Sequence, residues 1–178
     1  MLYGFGFDRL GVVVSDLYFV DPAPAPGQEG PEQGVRVELR LVEAGPLRGG
    51  IYSARPITIE RPVWRVDLLE SVDHPATLDR AHHHPFFDGW EPSPRRFVKA
   101  LSDDPLRWLR TRLDDLDGVL RGARVPPDAV GATDVDDVRR AAPEIVAAVE
   151  SLLKRILAGE LARPPSDDPV DGARLSWL

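Results

Sequence analysis

The sequence predicts an α+β domain: an antiparallel β-meander of about four strands in the N-terminal half, packed on two or three C-terminal helices. Three observations predict it. Apolar residues alternate with period two up to about residue 72, recur at helical spacing after residue 104, and the halves are separated by a stretch rich in histidine, proline and aromatics. With 178 residues and a mass of 19.7 kDa, the chain fits a single domain over 1–162, followed by a tail at 163–178. Within the domain, strands are expected over 10–72, a histidine and aromatic turn over 74–97, and helices over 104–160.

The first strand is LGVVVSDLYFV, residues 10 to 20, dense in β-branched and aromatic side chains. VRVELRL follows, in which Val35, Val37, Leu39 and Leu41 alternate with Arg36, Glu38 and Arg40, one face apolar and the other charged. Between the two lies DPAPAPGQEGPEQG, residues 21 to 34, which has no apolar period and predicts an exposed loop, mobile or occupied by a partner. AGPLRGG at 44–50 reads as a turn, and IYSARPITI at 51–59 as a third strand that Pro56 interrupts or consigns to an edge. VWRVDLL closes the meander, with Trp64, Val66 and Leu68 on one face and Val63, Arg65, Asp67 and Leu69 on the other.

The helical half opens at Asp104, an N-cap, with Pro105 in the first turn, where its missing N–H costs nothing. Leu106, Leu109, Leu113, Leu116 and Leu120 then form an apolar stripe flanked by Trp108. In TDVDDVRRAAPEIVAAVESLLKRILAGEL, Pro143 predicts a kink or a restart, Ile145, Val149, Leu152, Leu153 and Ile156 form the second stripe, and Gly159 is the stop. The tail ends in Leu175, Trp177 and Leu178, apolar residues expected to dock on the domain or on a partner.

Composition narrows the function classes. Without cysteine there are no disulfides, thiolate metal sites or thiol nucleophiles. A net charge of −7 opposes binding driven by phosphate contacts, so a nucleic-acid partner is disfavoured. MLYGFGFDRL lacks the basic and apolar segments of a secretory leader, and no run approaches the roughly 18 apolar residues of a membrane span. A soluble cytoplasmic protein is the expectation. Lys99 and Lys154 are the only lysines among 22 basic residues, a bias that reflects a GC-rich bacterial genome rather than a function.

The chemistry concentrates in AHHHPFFDGW, residues 81 to 90. On a strand, His82 and His84 share a face and His83 points away. With Asp88 they offer two imidazoles and a carboxylate, a donor set suited to a divalent metal cofactor such as zinc, manganese, iron or nickel, and His74 or Glu91 would then serve as acid or base. Two other readings stay open: a polar turn whose histidine rings pack on Phe86, Phe87 or Trp90, and metal-free acid or base catalysis by one histidine. The spacing His82-x-His84-x3-Asp88 resembles the first metal motif of cupins over seven residues, which implies a metal held by that triplet. Arg65-x-Asp67 on a strand ahead of His82–His84 is similar to the central segment of TumE-type toxin–antitoxin proteins over residues 50 to 110, which implies a small protein working with a partner and acting on RNA. Arg95 and Arg96 beside Phe97 read as a solvated pair or as an anion contact, and GFG at 4–6, Asp115 to Gly118 and the serines lack the remainder of a phosphate, calcium or nucleophile motif.

Taken together, these features predict a non-enzymatic protein–protein interaction module of the antitoxin or immunity kind, with a protein partner or a second copy of itself and no membrane contact. The alternative is a small metal-dependent hydrolase using His82, His84 and Asp88.

Overall fold

Five antiparallel strands lie side by side in chain order: β1 (Leu2–Gly6), β2 (Leu10–Val20), β3 (Pro31–Ala44), β4 (Ile57–Ser71) and β5 (His82–His84). The computed structural model describes residues 1–164, so the expectation for Leu175, Trp177 and Leu178 lies outside the described residues. A two-residue-per-strand hairpin follows, β6 (Phe87–Asp88) with β7 (Glu91–Pro92). Four α-helices follow among the described residues: α1 (Lys99–Asp103), α2 (Pro105–Asp114), α3 (Leu116–Gly122) and α4 (Asp134–Leu157). This is the α+β arrangement that the two periodicities predict.

The alternation in β3 sends Val35, Val37 and Leu39 into the core beside Leu10, Val12 and Val14 of β2 and Trp64, Val66 and Leu68 of β4. The helices cover this face. α4 contributes Val138, Ile145, Val149, Leu152 and Ile156, and α2 and α3 contribute Leu109, Leu113, Leu116 and Leu120, all buried. At about 1.5–3 kcal/mol for each large apolar side chain buried, these stripes and the sheet face they cover are the main apolar contribution to the stability of the domain. Trp108 of α2 stacks on Trp64 of β4, centroids 6.2 Å apart and planes within 17° of parallel, and so sets how α2 lies on the sheet.

Several elements differ from the sequence prediction, each for a local reason. β1 was not anticipated, because LYGFG is short and glycine-rich; it pairs with β2 from Leu2↔Ser15 to Gly6↔Gly11. Pro31–Gly34, expected in the loop, belong to β3 and pair with β2 and β4. The expected strand at 51–59 begins only at Ile57, after Pro56, and runs on without a break into 63–69. Pro62 is tolerated inside β4 because the register shifts on both sides of its pairing with Arg40, so the ladder is irregular where its missing N–H falls. Pro143 does not divide the last helix into two: α4 is continuous, and the nearby Ala142 and Ile145, both at 0% exposure, hold it to the core across the missing hydrogen bond. By contrast, the expected helix from Asp104 splits at Asp115, whose carboxylate accepts from Gly118 N and starts α3 as a second N-cap. Asp104 caps α2 as expected, accepting from Arg107 N at 3.1 Å.

Gly34 has a specific job. A Cβ there would lie 2.0 Å from the carbonyl oxygen of Leu68, so only glycine lets β3 approach β4 at this point. Asp134 has another: fully buried at the start of α4, it accepts from the backbone N–H of Asp8, Arg9 and Gly131 and ties the β1–β2 turn to the helix. Among the described residues no helix is long and apolar enough to cross a membrane.

Candidate functional site

The second face of the sheet is where the charged half of the β3 and β4 alternation points. Cross-strand register sets Ser15, Arg36, Asp67 and His82 in one row and Val13, Glu38, Arg65 and His84 in the next. This face is roofed rather than solvated. Asp67 is 1% exposed, Glu38 7%, His82 1% and His84 4%, so its ion pairs are interior ones.

The chain reaches this arrangement through the β4–β5 turn. Asp79 accepts from Ser71 N at 2.8 Å, Thr77 N donates to Glu70 at 3.2 Å, and Ala76 and Leu78 take positive φ, so the chain reverses and lays β5 along β4. β5 pairs antiparallel with Arg65 to Asp67, setting His82 opposite Asp67 and His84 opposite Arg65. Beyond β5, His83 exchanges both backbone hydrogen bonds with Arg96, which closes the 85–95 excursion. The excursion and the residue after Arg96 supply the roof: the Phe97 ring lies 5.6 Å from His82, and the Phe87 ring 6.5 Å from His84 with the Arg65 guanidinium 5.4 Å from its centroid.

His82 Nδ1 is 2.7 Å from the carbonyl oxygen of Arg80, and His84 Nδ1 bonds the carbonyl oxygen of Ser93. Both Nε2 atoms converge on Asp67 Oδ2, at 3.4 Å from His82 and 3.6 Å from His84. Among the described residues, Asp67, His82 and His84 are the group whose donor atoms all lie within 4.8 Å of one another. Arg36 holds both oxygens of the same carboxylate, Nε to Oδ1 at 2.7 Å and Nη2 to Oδ2 at 3.3 Å. Arg65 Nε lies 3.2 Å from Oδ2, yet its N–H is not aimed there and makes no hydrogen bond. Burial alone would raise the Asp67 carboxyl, but Arg36 and Arg65 hold it well below the usual carboxylate range. Burial likewise pushes His84 down, with Asp67 opposing the shift.

The sequence-predicted site residues separate into two sets. His82 and His84 come together on one face, as their spacing implies, and His83 points to the other. The carboxylate that meets them is Asp67, not Asp88. Asp88 pairs with Glu91 across the β6–β7 hairpin, both exposed, because Pro85 ends β5 and the chain leaves the sheet before Asp88. His74 sits in the β4–β5 turn with its side chain 65% exposed and its Nδ1 3.3 Å from Asp79 Oδ2. Arg95 is not a solvated charge: it pairs with the buried Glu32 at 3.0 Å and reaches Gln28 of the β2–β3 loop at 3.1 Å. Arg80 bonds the Gly27 carbonyl of the same loop, so both arginines anchor 21–30 beside the site. Asp67 was legible as an outward strand residue, and what the sequence lacks is the pairing of β4 with β5.

No family model matches this chain, and no curated protein or solved structure is significantly similar to it. The likenesses to cupins and to TumE-type proteins therefore rest on the quoted residues alone, and in the cupin-like triplet Asp88 stands apart from the two histidines.

Proposed function

We propose that this protein is a non-enzymatic protein–protein interaction module, of the kind that antitoxins and immunity proteins exemplify. The observation that carries the reading is a contrast of exposure. The reactive side chains are shut beneath Phe87 and Phe97, whereas the β3–β4 connection and the start of β4 present Leu47, Ile51, Tyr52, Ile57 and Ile59 at 43%, 82%, 95%, 69% and 51% exposure. Scattered apolar residues need no explanation, but five on one protruding hairpin do. The ribbon Val42–Ala44 with Ile57–Ile59 extends past the end of β2, whose pairing with β3 stops at Leu41. β5 covers β4 only from Arg65 to Asp67, so among the described residues the outer edge of Ile57–Glu60 has no strand beside it. A cleft of about 520 Å³ opens at the foot of this arm, between Val42–Ala44, Asp8, Arg9 and Ala129.

Such an edge takes an extended segment of another polypeptide by strand addition. The occupant we assign is a basic protein, because the chain carries a net charge of −7, which opposes a second copy and steers a cationic partner. The arm's own charges are mixed, Glu43 and Glu60 with Arg48, Arg55 and Arg61, so the steering comes from the whole molecule and the grip from backbone and apolar contacts. The test is affinity capture from the source cells with the wild-type chain and with the double variant Ile57→Asp/Ile59→Asp, followed by light scattering of both. A basic protein, identified by mass spectrometry, that is held by the wild type and lost by the variant supports the proposal. No arm-dependent capture overturns it, and an arm-dependent dimer replaces the assigned occupant with a second copy.

The alternative, a metal-dependent hydrolase, draws on the convergence of His82, His84 and Asp67. Substrate would have to reach side chains that are 1–4% exposed, which places it second.

A further inference from the structure

We infer that Asp67, His82 and His84 form a tetrahedral divalent-metal site suited to Zn²⁺. The inference is independent of the arm and rests on two features of the geometry. The first is which ring nitrogens are free. A carbonyl oxygen only accepts, so the bonds to Arg80 O and Ser93 O put the hydrogen of each neutral imidazole on Nδ1 and leave Nε2 with its lone pair. Both lone pairs then face a carboxylate oxygen, with no donor among them. His84 Nε2 is buried without a hydrogen-bond partner, on a side chain 6% exposed. Three acceptors held together in the interior are relieved by a cation between them, and a carbonyl on the remote nitrogen is the orientation that metal-binding imidazoles use.

The second feature is spacing. Tetrahedral zinc with bonds of about 2.0–2.1 Å holds its ligand atoms about 3.4 Å apart, whereas octahedral geometry at the same bond length brings them to about 3.0 Å. The two distances from Asp67 Oδ2, 3.4 and 3.6 Å, match the tetrahedral edge. Two imidazoles and one carboxylate suit Zn²⁺ and leave a fourth position for water.

Arg36 and Arg65 oppose the cation and set its affinity. Arg36 bonds Oδ1 through Nε and Oδ2 through Nη2, and Arg65 approaches Oδ2 without bonding it, so Oδ2 accepts one hydrogen bond and keeps a second lone pair for the metal. Removing the Arg65 charge should therefore tighten the site, a response that a purely structural cluster would not give.

The experiment uses the full chain without a histidine tag, stripped of metal and titrated with Co²⁺ as a spectroscopic stand-in for Zn²⁺. The expected result is the intense visible absorption of tetrahedral cobalt at one equivalent, bleached by Zn²⁺. His84→Gln and Asp67→Asn weaken Co²⁺ binding by more than about 100-fold, His74→Gln and Asp88→Asn leave it unchanged, and Arg65→Gln tightens it about tenfold. Circular dichroism reports folding of each variant; if the ligand variants do not fold, the wild-type spectrum and its response to Arg65→Gln decide. No tetrahedral band in the wild type overturns the assignment, as does a band that survives loss of both Asp67 and His84 or disappears with His74.

Discussion

Arg36 and Asp67 face each other across β3 and β4, the guanidinium Nε 2.7 Å from Oδ1, with side-chain exposures of 15% and 1%. This is an interior pair, and its energetics differ from those of the exposed pairs on the helices. Breaking it from one side leaves the other charge buried, so Arg36→Met is expected to cost about 3–5 kcal/mol in urea unfolding. The double replacement Arg36→Met/Asp67→Leu should cost clearly less than the sum of the single changes, because it removes both charges together. Additive losses in the double-mutant cycle would show that the two groups do not act as a pair.

Gly34→Ala should disrupt the contact between β3 and β4, since its Cβ would fall 2.0 Å from Leu68 O. A loss of about 2–4 kcal/mol is expected, at the upper end for a single added methyl because the obstacle is backbone. Gly4→Ala, at a position with open space, is the control. Equal midpoints for the two variants would contradict this role for Gly34.

Asp134→Ala should cost about 2–4 kcal/mol, because three backbone donors, on Asp8, Arg9 and Gly131, lose one buried charged acceptor. The loss should appear first as faster amide exchange at Asp8 and Arg9. Unchanged exchange there would mean that the β1–β2 turn is held by other contacts.

Trp108→Ala removes the ring stacked on Trp64 and should cost about 3–5 kcal/mol. The fluorescence of Trp64 should shift to longer wavelength as water reaches its ring. A variant of wild-type stability would show that α2 is seated on the sheet by the leucine stripe alone.

His83 lies on the opposite face from His82 and His84, 5.2 Å from the Trp108 ring, with its Nδ1 buried and unpartnered. Burial, aided by Arg112 and Arg96, pushes its pKa from 6.5 to about 4. The unfolded chain therefore binds more protons than the folded one between those values, and stability falls as pH drops from about 6.5 to 4, then levels off for this group. Discounted for partial exposure, the contribution is on the order of 2 kcal/mol. His83→Phe should fold at neutral pH and lose that part of the acid sensitivity; a stability–pH curve that parallels the wild type would contradict it.

Local chemistry was sufficient for the elements whose causes are local. The alternation Val35, Val37, Leu39 against Arg36, Glu38, Arg40 marked both faces of β3, the leucine stripe and Asp104 marked α2, and Gly159, with φ of 69°, ended the last helix. The alternate placement of His82, His83 and His84 followed from strand geometry alone. Where a local signal was offset by contacts elsewhere, the reading from sequence failed. Pro143 breaks helices in isolation, but here its neighbours are buried on the sheet; LYGFG has little strand character of its own, but β2 offers it an edge.

The sequence by itself determined the α+β class, the order of strands before helices, and which side chains share a face, because a repeat of two or of three to four residues is a property of the backbone. Only the tertiary structure decided that Asp67, fifteen positions before His82, is the carboxylate its imidazole meets, while Asp88, four after His84, is not. Periodicity reports the direction in which a side chain points and carries no information about the strand that lies beside it. That pairing depends on a turn held by Asp79 and Thr77 and on a roof closed by Arg96, contacts between residues that local spacing does not relate.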